Sequence, residues 1–168
     1  MTYAIAIRFG KTIMADIKTK EERSRNMSAL RSKDTDPEMY FRKLLFAQGI
    51  RYRKNVSFIP GHPDLYLRKY NTAIFINGCF WHAHEHCKYF SFPKSNTAFW
   101  QKKFNRNKER DAENLKFYQD KCWRVCVVWE CAIRGKNSRQ KIESVKDQII
   151  QWLEEPGEPF LEIKENHK

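Results

Sequence analysis

The stretch Gly78-Cys-Phe-Trp-His-Ala-His-Glu-His-Cys87 constrains this chain more than any other. Its ten residues hold two thiols, three imidazoles and an adjacent aromatic pair. Thiolate and imidazole are the ligands zinc prefers, and a structural zinc site takes four of them. Rings lying between such ligands are pinned by the metal rather than by a core. On a basic protein, a rigid aromatic pair suggests a wedge pushed between nucleic-acid bases.

Cys79 and Cys87 leave the fourth ligand to come from Cys122, Cys126 or Cys131. In an extended strand Cys122 and Cys126 point to one face and Cys131 to the other. Cys131 also follows the strand, at Trp129-Glu-Cys-Ala132, where the chain can turn towards a metal. Cys122 and Cys126 read as small buried apolar residues. The expected set is Cys79, His84, Cys87 and Cys131, a closed and therefore structural zinc site. His82 and His86 are left over, and His82 directly follows the rings.

The chain has 168 residues, enough for one domain with its own core. Its formal net charge of +12 is uneven. Residues 1–134 carry 26 Lys/Arg against 13 Asp/Glu, while residues 135–168 carry 6 against 7. A basic body with a neutral tail favours a polyanion, and nucleic acid is the usual one. The apolar start Tyr3-Ala-Ile-Ala-Ile7 is too short for a secretory signal, and no run approaches the roughly 18 apolar residues of a membrane span. Five cysteines clustered with histidines then suggest metal binding in a reducing cytoplasm.

The patterning predicts an α/β protein, a mixed sheet flanked by helices in the order α-β-β-β-α-β-α. Residues 19–33 read as a short basic helix or arm, with Met27 and Leu30 three residues apart. Asp34-Thr-Asp36 offers an N-cap, Pro37 and Glu38 suit a first turn, Phe41, Leu44 and Leu45 share a face, and Gly49 suits the position past the end. Strands are expected at 51–58, 63–70 and 72–76, with a Pro60-Gly61 turn between the first two. A long helix should run from a Thr97 cap to about Asp120, with Trp100, Phe104, Leu115 and Tyr118 near one side and Lys102, Lys103, Arg106, Lys108 and Arg110 on the other. Residues 122–129 read as a strand, and Ser144 as the cap of a last amphipathic helix carrying Ile149, Ile150, Trp152 and Leu153.

Asp64 opens a strand after Pro60-Gly-His-Pro63. A hairpin would place it near the end of 72–76, where the metal-like segment begins. Asp64, a backbone carbonyl at Ile76 and His82 could converge there. Carboxylate and carbonyl suit Mg²⁺, which keeps waters and binds phosphate, and histidine relays a proton.

The blocks Arg23-Ser-Arg-Asn-Met27, Pro60-Gly-His-Pro-Asp64, Gly78-Cys-Phe-Trp-His82, Phe99-Trp100 and Val128-Trp-Glu-Cys131 resemble the very short patch repair (Vsr-type) DNA mismatch endonucleases. They span about Met14 to Gly135, and Met14-Ala-Asp looks like the usual family start. Residues 1–13 would then be an extension or a start-codon artefact, 14–160 the endonuclease domain and 161–168 a tail. The resemblance implies a single restriction-endonuclease-like domain with a structural zinc. It implies a cytoplasmic, nucleoid-associated bacterial monomer that nicks one strand of double-stranded DNA, 5′ to the thymine of a T:G mismatch left by 5-methylcytosine deamination. A functional link to a cytosine-5 DNA methyltransferase follows. By the same resemblance Asp64 would hold Mg²⁺, His82 would be the catalytic histidine, and Glu38 a second acid reaching the site. Phe80, Trp81 and Trp100 would form the wedge from the major-groove side, Met27 and Leu30 would press from the minor groove, and Lys103 and Asn107 would lie near bases or phosphates.

Two departures stand out. Asn77 occupies a position where family members carry a histidine or an aspartate. The loop His84-Glu-His-Cys87 is one residue longer than the shortest family form, so His86 competes with His84 as a ligand. The strand lacks the carboxylate–x–lysine pair of typical restriction enzymes. The rival readings are a non-catalytic zinc module for bent DNA and a restriction-type endonuclease of the same fold. A zinc nucleobase deaminase is excluded, because the chain has no P-C-x-x-C.

Overall fold

The apolar run Thr72–Asn77 becomes the centre of a five-stranded sheet. The computed structural model describes Arg25 and residues 36–155 and 157–165. Residues 1–13, the basic arm, Met27 and Leu30 lie outside the described residues, apart from Arg25. Helix α1 spans Asp36–Ala47, β1 Arg53–Lys54, β2 Leu65–Leu67, β3 Thr72–Asn77, α2 Thr97–Asp120, β4 Arg124–Trp129, α3 Glu130–Ile133, α4 Ser138–Glu154 and β5 Phe160–Ile163. The sheet order is β1-β2-β3-β4-β5. The first three strands are antiparallel neighbours, and β3–β4 and β4–β5 are parallel. The sheet is mixed and flanked by helices, as the pattern predicts. No described helix is long and apolar enough to cross a membrane.

Strand alternation divides the sheet into two faces. Leu65, Leu67, Ile74, Cys126, Val128 and Ile163 pack on Phe41 and Leu45 of α1 and on Ile142, Ile149 and Leu153 of α4. On the other face Ala73 and Val125 meet Tyr118 of α2 and the loop residues Val56 and Ile59. Helix α1 stops where expected. Gly49 has φ +78, Ile50 N–H donates to Leu45 C=O (3.1 Å) and Gly49 N–H to Phe46 C=O (3.0 Å), the two bonds of a Schellman motif.

Several boundaries differ from the sequence expectation. The strand expected at 51–58 shrinks to two residues, because Asn55 turns left-handed (φ 49), although its N–H still reaches Asp64 C=O at 3.1 Å. Asn96, not Thr97, occupies the cap position of α2. Helix α4 starts at Ser138, so Ser144 lies inside it, its oxygens accepting from Gln148. Ile142 and Val145 extend the apolar stripe upstream, and tertiary burial overrides the local cap signal. Cys122 precedes β4 in a left-handed turn (φ 54) and is exposed, whereas Cys126 is buried in the core. Strand β5 has no counterpart in the predicted order, and it runs across the division placed at 160.

The turn leading into Asp64 is held from below by α2. Tyr118 Oη donates to Pro60 C=O at 2.7 Å. A Cβ on Gly61 (φ +79) would come within 2.9 Å of the Asn114 side chain and 3.2 Å of the Phe75 ring, so only glycine fits without a shift. Tyr118→Phe keeps the ring and removes this bond. It should lower stability by about 1 kcal/mol, read as a lower denaturation midpoint at constant slope.

Candidate metal and nuclease site

Three thiols and an imidazole meet where β3 and β4 end. The ligand atoms of Cys79, His84, Cys87 and Cys131 all lie within 4.8 Å of one another, and all four residues are buried. Cys79 opens a tight turn in which His84 N–H returns to Cys79 C=O at 2.9 Å. Cys131 enters from the first turn of α3, immediately past β4. His84 Nδ1 is 3.7 Å from Cys131 Sγ, and its ring stacks on Trp129 with centroids 4.0 Å apart. His86 is exposed and His82 faces elsewhere, so neither belongs to this cluster. Cys126 lies on the opposite, α1-facing core. Burial pushes the Cys79 thiol well up, with the Cys131 and Cys87 sulfurs adding to the effect. A dication relieves that by converting thiols to thiolates, and an S₃N set is the donor chemistry of a structural metal such as zinc.

On the other side of the β3 end, Asp64 Oδ2 accepts Ile76 N–H at 2.7 Å. The contact fixes the carboxylate against the residue whose carbonyl the sequence pairs with it as a ligand. Burial raises the Asp64 carboxyl to about 6, opposed by the Ile76 bond; Glu38 raises it further, and Arg42 and His82 lower it. Glu38 and Arg42 stand one turn apart on α1, so that helix delivers both charges to Asp64.

His82 Nδ1 lies 2.5 Å from Asp111 Oδ2. Burial works to raise the Asp111 carboxyl, but the His82 hydrogen bond and the Arg110 guanidinium hold it below the usual carboxylate range. Asp111 is absent from the sequence-derived site. In the sequence it is one of three acids at the end of the basic run of α2, with Glu109 and Glu113 on either side, and only the fold singles it out. Asn107 itself donates from Nδ2 to Trp81 C=O at 2.7 Å. The same helix face therefore grips Trp81 by its backbone and His82 by its ring.

The rings form one continuous cluster. Phe80 lies at its centre, 5.2 Å from Trp81, 5.1 Å from Trp100 and 5.6 Å from Phe104 between centroids. Phe104 is 2% exposed and acts as the floor, while Trp81 is 38% exposed at the rim. Phe99 and Phe92 are also exposed beside it, two rings that the predicted wedge leaves out. Lys103 is exposed on α2 together with Lys102 and Arg106. Asn77 ends β3 on the opposite face from Ile76 and lines a cavity of about 930 Å³ that also takes in His82, Asp111 and Trp129.

A carboxyl raised by burial binds its proton more tightly folded than unfolded, so its favourable contribution is complete below the ordinary value near 3.8 and is lost as pH rises through about 6. Above that window the buried charge costs on the order of 3 kcal/mol. Asp64→Asn should therefore stabilise the Mg²⁺-free protein at pH 8 and make no difference below pH ~4, measured by thermal unfolding across that range. An equal gain at both pH values would contradict the assignment.

The sequence profile of the DNA mismatch endonuclease Vsr matches residues 15–88. The chain is 40% identical over 142 residues to the DNA mismatch endonuclease Vsr of Escherichia coli K12, covering 83% of this chain and 88% of that protein. It is 47% identical over 123 residues to the type II nicking enzyme V.NmeAIP of Neisseria meningitidis serogroup A, covering 73% and 87%. It is 37% identical over 120 residues to the type II nicking enzyme V.XorIIP of Xanthomonas oryzae pv. oryzae, covering 71% and 88%. Identity at this level, across most of both chains and across the site just described, means that the protein belongs to the Vsr family of DNA mismatch endonucleases.

Proposed function

We propose that the protein is a DNA endonuclease that nicks one strand 5′ to the thymine of a T:G mismatch. It uses Mg²⁺ at Asp64 and carries a structural zinc in the Cys79–His84–Cys87–Cys131 cage. One juxtaposition carries the reading: Asp64 and the His82–Asp111 pair flank the end of β3, and the exposed Trp81 ring immediately precedes His82. The relatives, a DNA mismatch endonuclease and nicking enzymes, support it.

Asp64 and the Ile76 carbonyl would hold Mg²⁺, with Glu38 as a further acid nearby. A buried carboxylate beside a second acid is a site that a dication relieves. When bound, Mg²⁺ polarises the phosphodiester and acidifies a coordinated water. The ionised Asp111 can only accept, so it fixes the His82 proton on Nδ1 and leaves Nε2 to exchange a proton with the reacting water or the leaving oxygen. Fixing that ring removes an orientational cost from the reaction.

Recognition rests on the rings. A wobble pair stacks less well than a Watson–Crick pair, so opening it costs less. Inserting side chains costs a few kcal/mol per base step, and stacking returns about 1–3 kcal/mol per base. Trp81 leads, with Phe80 and Trp100 behind it on the buried Phe104 floor. Asn107 holds the Trp81 backbone, so its reach towards bases begins from that bond. Lys103, Lys102 and Arg106 supply the sequence-independent grip on phosphates. The enzyme works as a monomer in the cytoplasm, on lesions left behind a cytosine-5 methyltransferase.

The test is nicking of T:G and T:A duplexes in the presence of Mg²⁺. Wild type should cut one strand of the T:G duplex only. Asp64→Ala, His82→Ala and Asp111→Asn should each lose about 100-fold or more, and full activity in Asp64→Ala would remove it from the mechanism. A restriction-type enzyme, the reading favoured by the type II names of the relatives, would cut fully paired DNA at a fixed sequence. Binding without any cut would favour the non-catalytic module, which Asn77 keeps in view.

Trp81→Ala should lose discrimination between T:G and T:A by about tenfold, about the worth of one stacked ring, while bulk DNA affinity changes little. Equal losses in both would make Trp81 a packing residue.

A further inference from the structure

The metal cage has an outer wall built from the last strand. Glu165, two residues past β5, donates its backbone N–H to Cys131 Sγ at 3.4 Å. Its carboxylate bridges Lys88 Nζ (2.9 Å), which follows Cys87, and Lys141 Nζ (2.6 Å) on α4. Within β5, Glu162 Oε1 accepts Trp129 Nε1–H at 2.8 Å, and Trp129 is the ring stacked on His84. Three of the four expected ligands, Cys131, Cys87 and His84, are thus backed by residues 162–165.

Charge gives this wall a purpose. Three thiolates, one neutral imidazole and a dication carry a formal charge of −1, here in a buried site. Two lysines around one carboxylate leave +1 beside it, and the carboxylate is what holds both ammonium groups there, so without it they swing out to solvent. Partners outside the ligands orient them and strengthen binding, and their loss typically costs 10–100-fold in metal affinity. We propose that β5 and its continuation to Glu165 form a clasp that retains the metal, with Glu165 as the positioning residue that sets Cys131 and ties the Cys87 end of the loop to α4. This rests on the zinc reading above.

The experiment follows zinc released from purified full-length protein to excess chelator, with zinc per chain measured first. Glu165→Ala should release zinc roughly 10-fold to 100-fold faster than wild type. Glu165→Gln, which keeps the amide and the side-chain shape without the charge, should fall between the two. Lys88→Ala removes one arm while leaving Glu165 on Lys141, and should accelerate release about threefold or more, which keeps the test open if Glu165→Ala does not fold. Gln151→Ala, which loses an exposed bond to Glu155 at the end of α4, is the control and should match wild type. Raised salt should speed release from wild type and leave Glu165→Ala unchanged, a dependence that mere packing would not show. Rates for Glu165→Ala, or for Lys88→Ala if Glu165→Ala does not fold, that stay within about twofold of a zinc-loaded wild type would overturn the clasp. A wild type that holds no zinc would overturn the zinc reading itself, and the two failures are distinct.

Discussion

The convergence of three sulfurs and a ring nitrogen at the end of β3 is the contact on which the site depends. The buried group there consists of Cys79, Cys87 and Cys131, with Tyr89, Phe90 and Trp129 around it. A loop of this kind would be mobile if tied only by its few backbone bonds. The cluster joins its two ends to the end of β4 instead, and Phe80, Trp81 and His82 occupy the residues directly after Cys79. The position of the rings and of the histidine is therefore one problem, solved once.

Helix α2 acts as the ruler against which that loop is set. Along one side it presents Trp100, Phe104, Asn107, Asp111, Leu115 and Tyr118, spaced three or four residues apart. The N-terminal third supports the aromatic cluster, the middle holds the loop through Asn107 and Asp111, and the C-terminal third packs on the sheet and reaches Pro60. One rigid element thus relates the Asp64 turn, the histidine and the aromatic cluster. A shift of α2 would move all three together, which favours a site assembled before DNA arrives.

Much of this was legible in the residues alone, and the failures share a cause. The stop of α1 was readable because Gly49 and Ile50 act on carbonyls a turn away. The choice of Cys131 over Cys126 was readable because strand periodicity separates their faces, and the structure gathers Cys131 with the other three ligands. Strand β5 was not, since Phe160–Ile163 is short and carries a charge, and its pairing to β4 is settled by tertiary register. The start of α4 was misplaced because Ser144 looks like a cap locally, while Ile142 and Val145 are claimed by a sheet far away in sequence. Asp111 escaped notice for the same reason: its partner is 29 residues upstream, and no local spacing announces it. Asn107 was legible as important but not in its manner, since the structure gives it a backbone carbonyl of its own chain to hold.

The margins of the sheet have a consequence of their own. Among the described residues, one outer strand, β1, is two residues long and basic, and the other, β5, is four residues long with Glu162 within it and Lys164 just beyond. Neither offers a length of unsatisfied amides on which a neighbouring molecule could extend the ladder. A net charge of +12 draws copies of the chain to any polyanion, where they meet more often than in free solution. Blunt borders of this kind let copies pass one another there without zipping into fibres.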